Sequence, residues 1–287
     1  ECKMASISSK VCDRLTAGIK RFQPVLSSAK TRDVNESDTV TIITDMLAEV
    51  FGFDKYSEIT SEYVIRGTFV DLAIKLDGHL QLLIEVKAIG LDLKESHVKQ
   101  AVDYAANQGV DWVVLTNGID WHVYRVKFGK PIEQELVLEF SFLDLNPKSK
   151  ADCERLGLLT KEGLEKSLLG EYHAQRQVLS RYFIGAVLLT DPVLDVVRRE
   201  LRRLAPEVKI DTDQIREVLQ QDTLKREIVE GEKAEEAGRK IARSATRALR
   251  KAGKEEAEVD STELGNATPT GDAKKAGEPV DDREGLQ

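Results

Sequence analysis

Asp71, Glu85 and Lys87 are the residues of this chain best suited to act together chemically. Two carboxylates and an ammonium on one surface form a site for a hard divalent cation. Mg²⁺ takes oxygen ligands in octahedral geometry and keeps several waters, so one or two carboxylates and a phosphate oxygen suffice to hold it. The peptide carbonyl of Val86 could supply a further oxygen. The ion would polarise a phosphoryl oxygen and acidify a coordinated water, while Lys87 would neutralise charge growing on phosphate or steer the attacking water. Glu-Val-Lys on a half-buried strand is also a common structural pattern, so the elements that position the three residues decide what they mean.

Those elements lie in Gly67 to Lys87, GTFVDLAIKLDGHLQLLIEVK, which reads as two strands folded back on each other. Val70, Leu72, Ile74 and Leu76 alternate with Phe69, Asp71, Ala73 and Lys75. Leu80, Leu82, Ile84 and Val86 alternate with Gln81, Leu83, Glu85 and Lys87. This is the period of two expected of strands, and it sets Asp71, Glu85 and Lys87 on the exposed parity, opposite the aliphatic one. A two-residue Asp77-Gly78 loop would place residue 71 opposite residue 84 and pair core positions with surface ones. A three-residue loop, Leu76-Asp77-Gly78, pairs 70 with 84, 72 with 82 and 74 with 80, and is the expected register. Asp71 and Glu85 then become diagonal neighbours at roughly 7 Å or less, close enough to share one cation.

The next helical segment, Lys94 to Gln108, places Gln100 and Tyr104 four apart on one face. Asp71, a spacer, Glu85-Val86-Lys87 and then Gln100-x-x-x-Tyr104 resemble the PD-(D/E)xK nuclease superfamily, and within it the N-terminal nuclease domain of type I restriction enzyme R subunits. The likeness spans about Arg32 to Leu145, with Val70 where the name-giving proline would stand. It implies a restriction-endonuclease-like α/β core, a mixed central sheet flanked by helices. It also implies a Mg²⁺- or Mn²⁺-dependent DNA endonuclease serving restriction and defence or related DNA processing. By the same likeness Asp71 and Glu85, with the Val86 carbonyl, hold the metal, Lys87 is the catalytic lysine, and Gln100 and Tyr104 orient the site or the DNA. This branch often carries a glutamate on the first helix, here Glu36. Glu36, Val40, Ile43, Leu47 and Val50 follow helical spacing, so Glu36 extends the buried stripe and should point at the sheet. Near a helix N-terminus an acid is also favourable through the dipole alone.

The net charge of −8 argues against indiscriminate coating of nucleic acid but leaves room for a local basic face. The sequence holds no G-x-x-x-x-G-K-S/T loop, hence no ATP cradle, and a motor or specificity subunit would be a separate partner. A non-cleaving nucleic-acid-binding or assembly module that keeps the nuclease fold is the competing reading. Cys2, Cys12 and Cys153 form no C-x-x-C pair, the first residues lack the apolar stretch of a signal peptide, and no apolar run reaches the roughly 20 residues of a membrane span. A cytoplasmic protein without membrane contact is expected.

A helix over Val11 to Leu26 should end near Pro24, with Arg14, Lys20 and Arg21 on a solvated face. Glu62 to Arg66 should be the first strand, and Asp111 to Thr116, Trp121 to Val126 and Glu135 to Phe140 further strands, with Asn117-Gly118 the strongest short hairpin signal. His122 on the outer hairpin is read as structural. After Pro147 helical spacing takes over, with helices expected over Leu158 to Leu169, Tyr172 to Leu189, from Asp191-Pro192 to about Leu204, and from a cap at Asp213 to about Glu230. Arg198, Arg199, Arg202 and Arg203 give the Asp191 helix a basic face, suited to DNA backbone or an acidic partner and otherwise simply solvated. The helical region could also pair two chains. From Glu232 the composition cannot bury a core and reads as a charged helix followed by a disordered tail. The expected divisions are 1–30, a helical lead-in; 31–146, the nuclease-like domain; 147–231, a helical region; and 232–287, a charged tail.

Overall fold

A computed structural model describes residues 7–65 and 68–263 of the chain. Cys2, Arg66, Gly67 and the tail from residue 264 onward lie outside the described residues. Two compact units are present, residues 1–177 and 178–287.

The first unit opens with two helices, α1 (Ser9–Arg32) and α2 (Glu36–Glu49), followed by strands β1 (Ile59–Ile65), β2 (Thr68–Leu76) and β3 (His79–Val86). Helix α3 (Glu95–Gln108) crosses to β4 (Trp112–Thr116), and β5 (Asp120–Lys127) and β6 (Glu133–Ser141) complete a six-stranded sheet in sequence order. Only β3 and β4 run parallel, and α3 is the crossover that parallel pairing demands. Helices α4 (Lys150–Gly157), α5 (Lys161–Glu165) and α6 (Leu168–Val178) follow. The result is the mixed α/β sheet with flanking helices that the strand and helix patterns imply.

Both faces of the sheet are covered. Leu72, Ile74, Leu82, Ile84 and Val86 pack with α1 and α2, through Leu15, Ile19, Phe22, Leu26, Ile43 and Leu47 among others. On the other side Val70, Ala73 and Leu83 meet Val98, Ala101, Val102 and Ala105 of α3. Val70 therefore does not share a face with Leu72, and the parity of Asp71, Glu85 and Lys87 is not an open surface.

The central hairpin corrects the expected register. Asp77 and Gly78 both adopt positive φ, 50° and 77°, and Leu76 pairs with His79, so the loop is the two-residue Asp-Gly turn. Core nevertheless meets core, because a bulge lies just beyond. Lys75 pairs with Leu80 and Ile74 with Leu82, which leaves Gln81 as an extra residue; from there Ala73 faces Leu83 and Leu72 faces Ile84. The pairing ends at Leu72 and Ile84, so Asp71 is not set as a diagonal ladder neighbour of Glu85 and meets the Val86 N–H instead.

Helix α1 also departs from expectation, since it runs through Pro24 to Arg32. Pro24 and Lys20 are both exposed, so the Lys20 carbonyl left without its helical donor is open to water. Arg14 does not belong to a solvated face. Its guanidinium donates to the Val50 and Phe51 carbonyls at 3.0 and 3.2 Å and forms a two-pronged pair with Glu162 at 2.8 and 2.6 Å. It thereby ties α1 to the end of α2 and to α5. Lys20 and Arg21 are exposed as expected.

In the second unit helix α7 spans Arg181–Leu188, α8 Asp191–Leu204, α9 Thr212–Val218, α10 Arg226–Val229 and α11 Glu232–Glu263. The single helix expected over Tyr172 to Leu189 is two, because Ser180 caps α7 through a bond from Phe183 N. Asp211 caps α9 in place of Asp213. The segment to Glu230 is broken by a π turn over Leu219–Thr223. On α8, Arg198 and Arg203 pair with Asp195 and Glu200 at 2.8 and 2.9 Å along the helix itself. Among the described residues no helix is long and apolar enough to cross a membrane.

Two stability predictions follow from the first unit. Arg14→Ala removes the donors of two carbonyls and a carboxylate and should cost about 2 kcal/mol in urea unfolding, with Arg14→Lys recovering only part. An unchanged midpoint would contradict the clamp. Glu135 lies 3.5 Å from His173 Nε2 and 3.3 Å from Lys127 Nζ. His173 first, and Lys127 with it, hold its carboxyl at about 2, well below its ordinary 4.5. Because the folded value is depressed, this stabilisation is present above about pH 4.5 and lost as pH falls toward 2. Thermal unfolding of Glu135→Gln should lie below the unaltered protein at pH 5, with the gap closing between those values.

Candidate metal and lysine centre

The centre forms where β2 and β3 part. Their last paired residues are Leu72 and Ile84. Beyond them the Val86 N–H, which would otherwise bond a strand carbonyl, donates to Asp71 Oδ2 at 2.7 Å. On the other edge of β3 the Lys87 N–H donates to Thr116 O of β4 at 2.9 Å. The strand therefore stays pinned on one side while opening on the other, and the Asp71 carboxylate fills the fork.

Lys87 then folds its side chain back over the strand. Its ammonium donates to Glu85 Oε1 at 2.8 Å and to the Val86 carbonyl at 2.8 Å, and lies 3.5 Å from Glu36 Oε2. Glu36 comes from the first turn of α2, capped by Asn35 through a bond from Asp38 N. It points at the sheet as expected, but it does not extend a buried stripe, since its side chain is 49% exposed. The side chains of Glu85 and Lys87 are only 14% and 17% exposed. Truncating Lys87 would therefore leave a buried carboxylate without its partner, which is not a neutral surface change.

Burial dominates the electrostatics. It raises the Asp71 carboxyl, overcoming the Val86 N–H bond and the Lys87 charge, and Glu36 and Glu62 push the same way. Burial likewise raises Glu85 against the Lys87 hydrogen bond, with Asp71 and Glu36 adding to the rise. For Lys87 burial alone would lower the ammonium, but the bond and charge of Glu85, with Glu36 and Asp71, together outweigh it and hold the group above its usual range. Three acids thus share one ammonium, and the site is short of positive charge.

Among the described residues no three His, Cys, Asp or Glu side chains are grouped as a metal centre. The oxygens that surround Lys87 Nζ are instead two carboxylates and a peptide carbonyl. These are the hard donors a divalent ion of the Mg²⁺ type takes, and they already enclose a cation, so the residues present fit such an ion.

Gln100 and Tyr104 stand on α3, where Gln100 Nε2 donates to Tyr104 Oη at 2.9 Å. The structure pairs them with each other and gives neither a hydrogen bond to the acids. Two residues near the centre escaped the sequence reading. Glu62, opposite Asp71 between the Ser61–Leu72 and Tyr63–Val70 pairs, holds a positive φ of 48°. Asn117, next to the Thr116 that accepts from Lys87 N–H, is buried. The Asn-Gly pair signals the turn, but nothing local in it reveals where the Asn117 side chain reaches. His122 pairs with Glu139 at 3.4 Å across β5 and β6, away from these residues in the strand order.

Comparison with known proteins agrees with this geometry at the level of the domain. A search of curated proteins and a search of solved structures returned no match. A family model, the type I restriction enzyme R protein N terminus (HSDR_N), matches residues 43–137, about one third of the chain. The matched stretch runs from within α2 into β6 and includes Asp71, Glu85, Lys87, Gln100 and Tyr104, while Glu36 lies just before it. Residues 43–137 are thus similar to the N terminus of type I restriction enzyme R proteins.

Proposed function

We propose that this protein is a divalent-metal-dependent DNA endonuclease that hydrolyses backbone phosphodiesters in a restriction or related DNA-processing setting. The observation that carries the reading is the enclosure of the Lys87 ammonium by Glu85, the Val86 carbonyl and Glu36, with Asp71 in the adjoining fork. Buried acids that share too little positive charge are poised to accept a cation, and a merely structural ion pair has no use for the excess.

Asp71, Glu85 and the Val86 carbonyl would hold Mg²⁺ or Mn²⁺, with Glu36 at the exposed edge. A divalent ion bound there supplies a Lewis acid for a phosphoryl oxygen and lowers the pKa of a bound water. Once Glu85 is engaged, the Lys87 ammonium is free to neutralise charge that develops on the phosphate, and it does so in a half-buried setting where its charge is poorly screened. Gln100 and Tyr104, exposed and half-buried on α3, orient the DNA strand. DNA is the substrate in this reading. No phosphate-cradling ATP loop occurs in this sequence, and a separate motor or specificity subunit is a partner in this reading.

Two outcomes test this. Incubated with supercoiled, linear and single-stranded DNA in Mg²⁺, Mn²⁺ or EDTA, the protein should cleave only with metal, and Lys87→Ala should lose about 100-fold or more of that rate. Equal cleavage by the variant, or no cleavage by either, would remove the nuclease reading. Asp71→Asn should unfold at the same or a higher temperature than the unaltered protein in EDTA, since it relieves a crowded buried charge. Mn²⁺ should raise the unfolding temperature of the unaltered protein alone. A rise of the same size in the variant would place any metal elsewhere.

A further inference from the structure

The Asn117-Gly118 turn does more than reverse the chain. Thr116, the last residue of β4, and Asn117, directly after it, are both buried polar residues. Thr116 Oγ1 accepts from Gly118 N at 2.9 Å, and Asn117 Oδ1 accepts from Ile119 N and Asp120 N at 3.0 and 2.7 Å. These bonds shape the turn and require only acceptors. The remaining bond is different in kind. Asn117 Nδ2 donates to Leu91 O at 3.0 Å, across to the segment that follows Lys87.

Together with the Lys87 N–H bond to Thr116 O, this contact brackets Ala88-Ile89-Gly90 between the last residue of β4 and the residue after it. Inside the bracket Ile89 is buried and Leu91 N donates to Ala88 O at 2.9 Å. Gly90 is pressed so closely on Asp33 that a Cβ there would stand 2.4 Å from Asp33 Oδ1. Asp33 is the C-cap of α1, and the chain reaches Glu36 three residues later. Through the Gly90–Asp33 contact the bracketed segment therefore links the strand bearing Lys87 to the corner between α1 and α2.

We propose that Asn117 is a positioning residue, whose amide donor holds segment 88–94 and through it fixes Lys87 against Glu85 and Glu36. An acceptor alone would build the turn, so an aspartate would serve a purely structural role, and the amide is needed only for Leu91. This proposal rests on the nuclease reading for its catalytic consequence but not for its structural one.

The full-length chain carrying Asn117→Asp keeps the turn acceptor and sets an oxygen against the Leu91 carbonyl. Asn117→Ser also keeps an acceptor and is too short to reach Leu91. In both, hydrogen exchange should quicken in residues 88–94 while the rest of the sheet keeps its protection. With DNA and Mg²⁺, kcat should fall about 10- to 100-fold while KM moves by less than about threefold, since a small displacement of a reacting group costs rate before it costs binding. Unchanged exchange in 88–94, or an unchanged kcat in a protein that is merely less heat-stable, would overturn the proposal. Should the unaltered chain fail to cleave, the nuclease reading falls separately. Exchange in 88–94 then decides alone, with quickening sustaining the clamp and no change ending it.

Discussion

A single ammonium shared by buried acids is the interaction on which this structure turns. Lys87 Nζ holds Glu85, the Val86 carbonyl and, at longer range, Glu36, and Asp71 lies in the fork beside them. Burial raises the Asp71 and Glu85 carboxyls, and the half-exposed Glu36 adds a third negative charge beside the same lysine. This shortage of positive charge makes the site costly to fold, and in the proposed reading it is what a bound divalent cation would relieve.

The rest of the first unit explains how that arrangement is held. Parallel pairing pins one edge of β3 to β4 through the bond from Lys87 N to Thr116 O, while β2 is led away on the other edge after Leu72. The bulge at Gln81 reconciles a tight Asp-Gly turn with matched core faces. Helix α3 closes one face of the sheet with Val98, Ala101, Val102 and Ala105 against Val70, Ala73 and Leu83. Helix α2 delivers Glu36 from its first turn, and Arg14 locks the far end of α2 to α1 and α5.

Much of this was legible in the sequence, because period-two alternation and the order of short motifs survive without tertiary context. Strand alternation and motif order single out Asp71, Glu85 and Lys87, whereas helical spacing puts Glu36 on a buried stripe that in the structure does not reach it. The hairpin register could not be read, since a bulge leaves no local mark: Gln81 looks like any outward-facing strand residue. Lys87 was misjudged as exposed because alternation shows which face is aliphatic, not whether a helix covers the other. Pro24 misled for a related reason, as its cost depends on whether the orphaned Lys20 carbonyl meets water, and here it does. Arg14 and Asn117 act through partners 148 and 26 residues away, separations at which no spacing rule applies.

The most direct test is to locate the cation. Crystals of the protein soaked in saturating Mn²⁺ and measured for anomalous scattering should show a peak in contact with Asp71 and Glu85, with the Lys87 ammonium moved off Glu85. Crystals in which Lys87 still rests on Glu85 and no peak touches either carboxylate would contradict the account, leaving the lysine as the final partner of these acids instead of the place-holder for a metal.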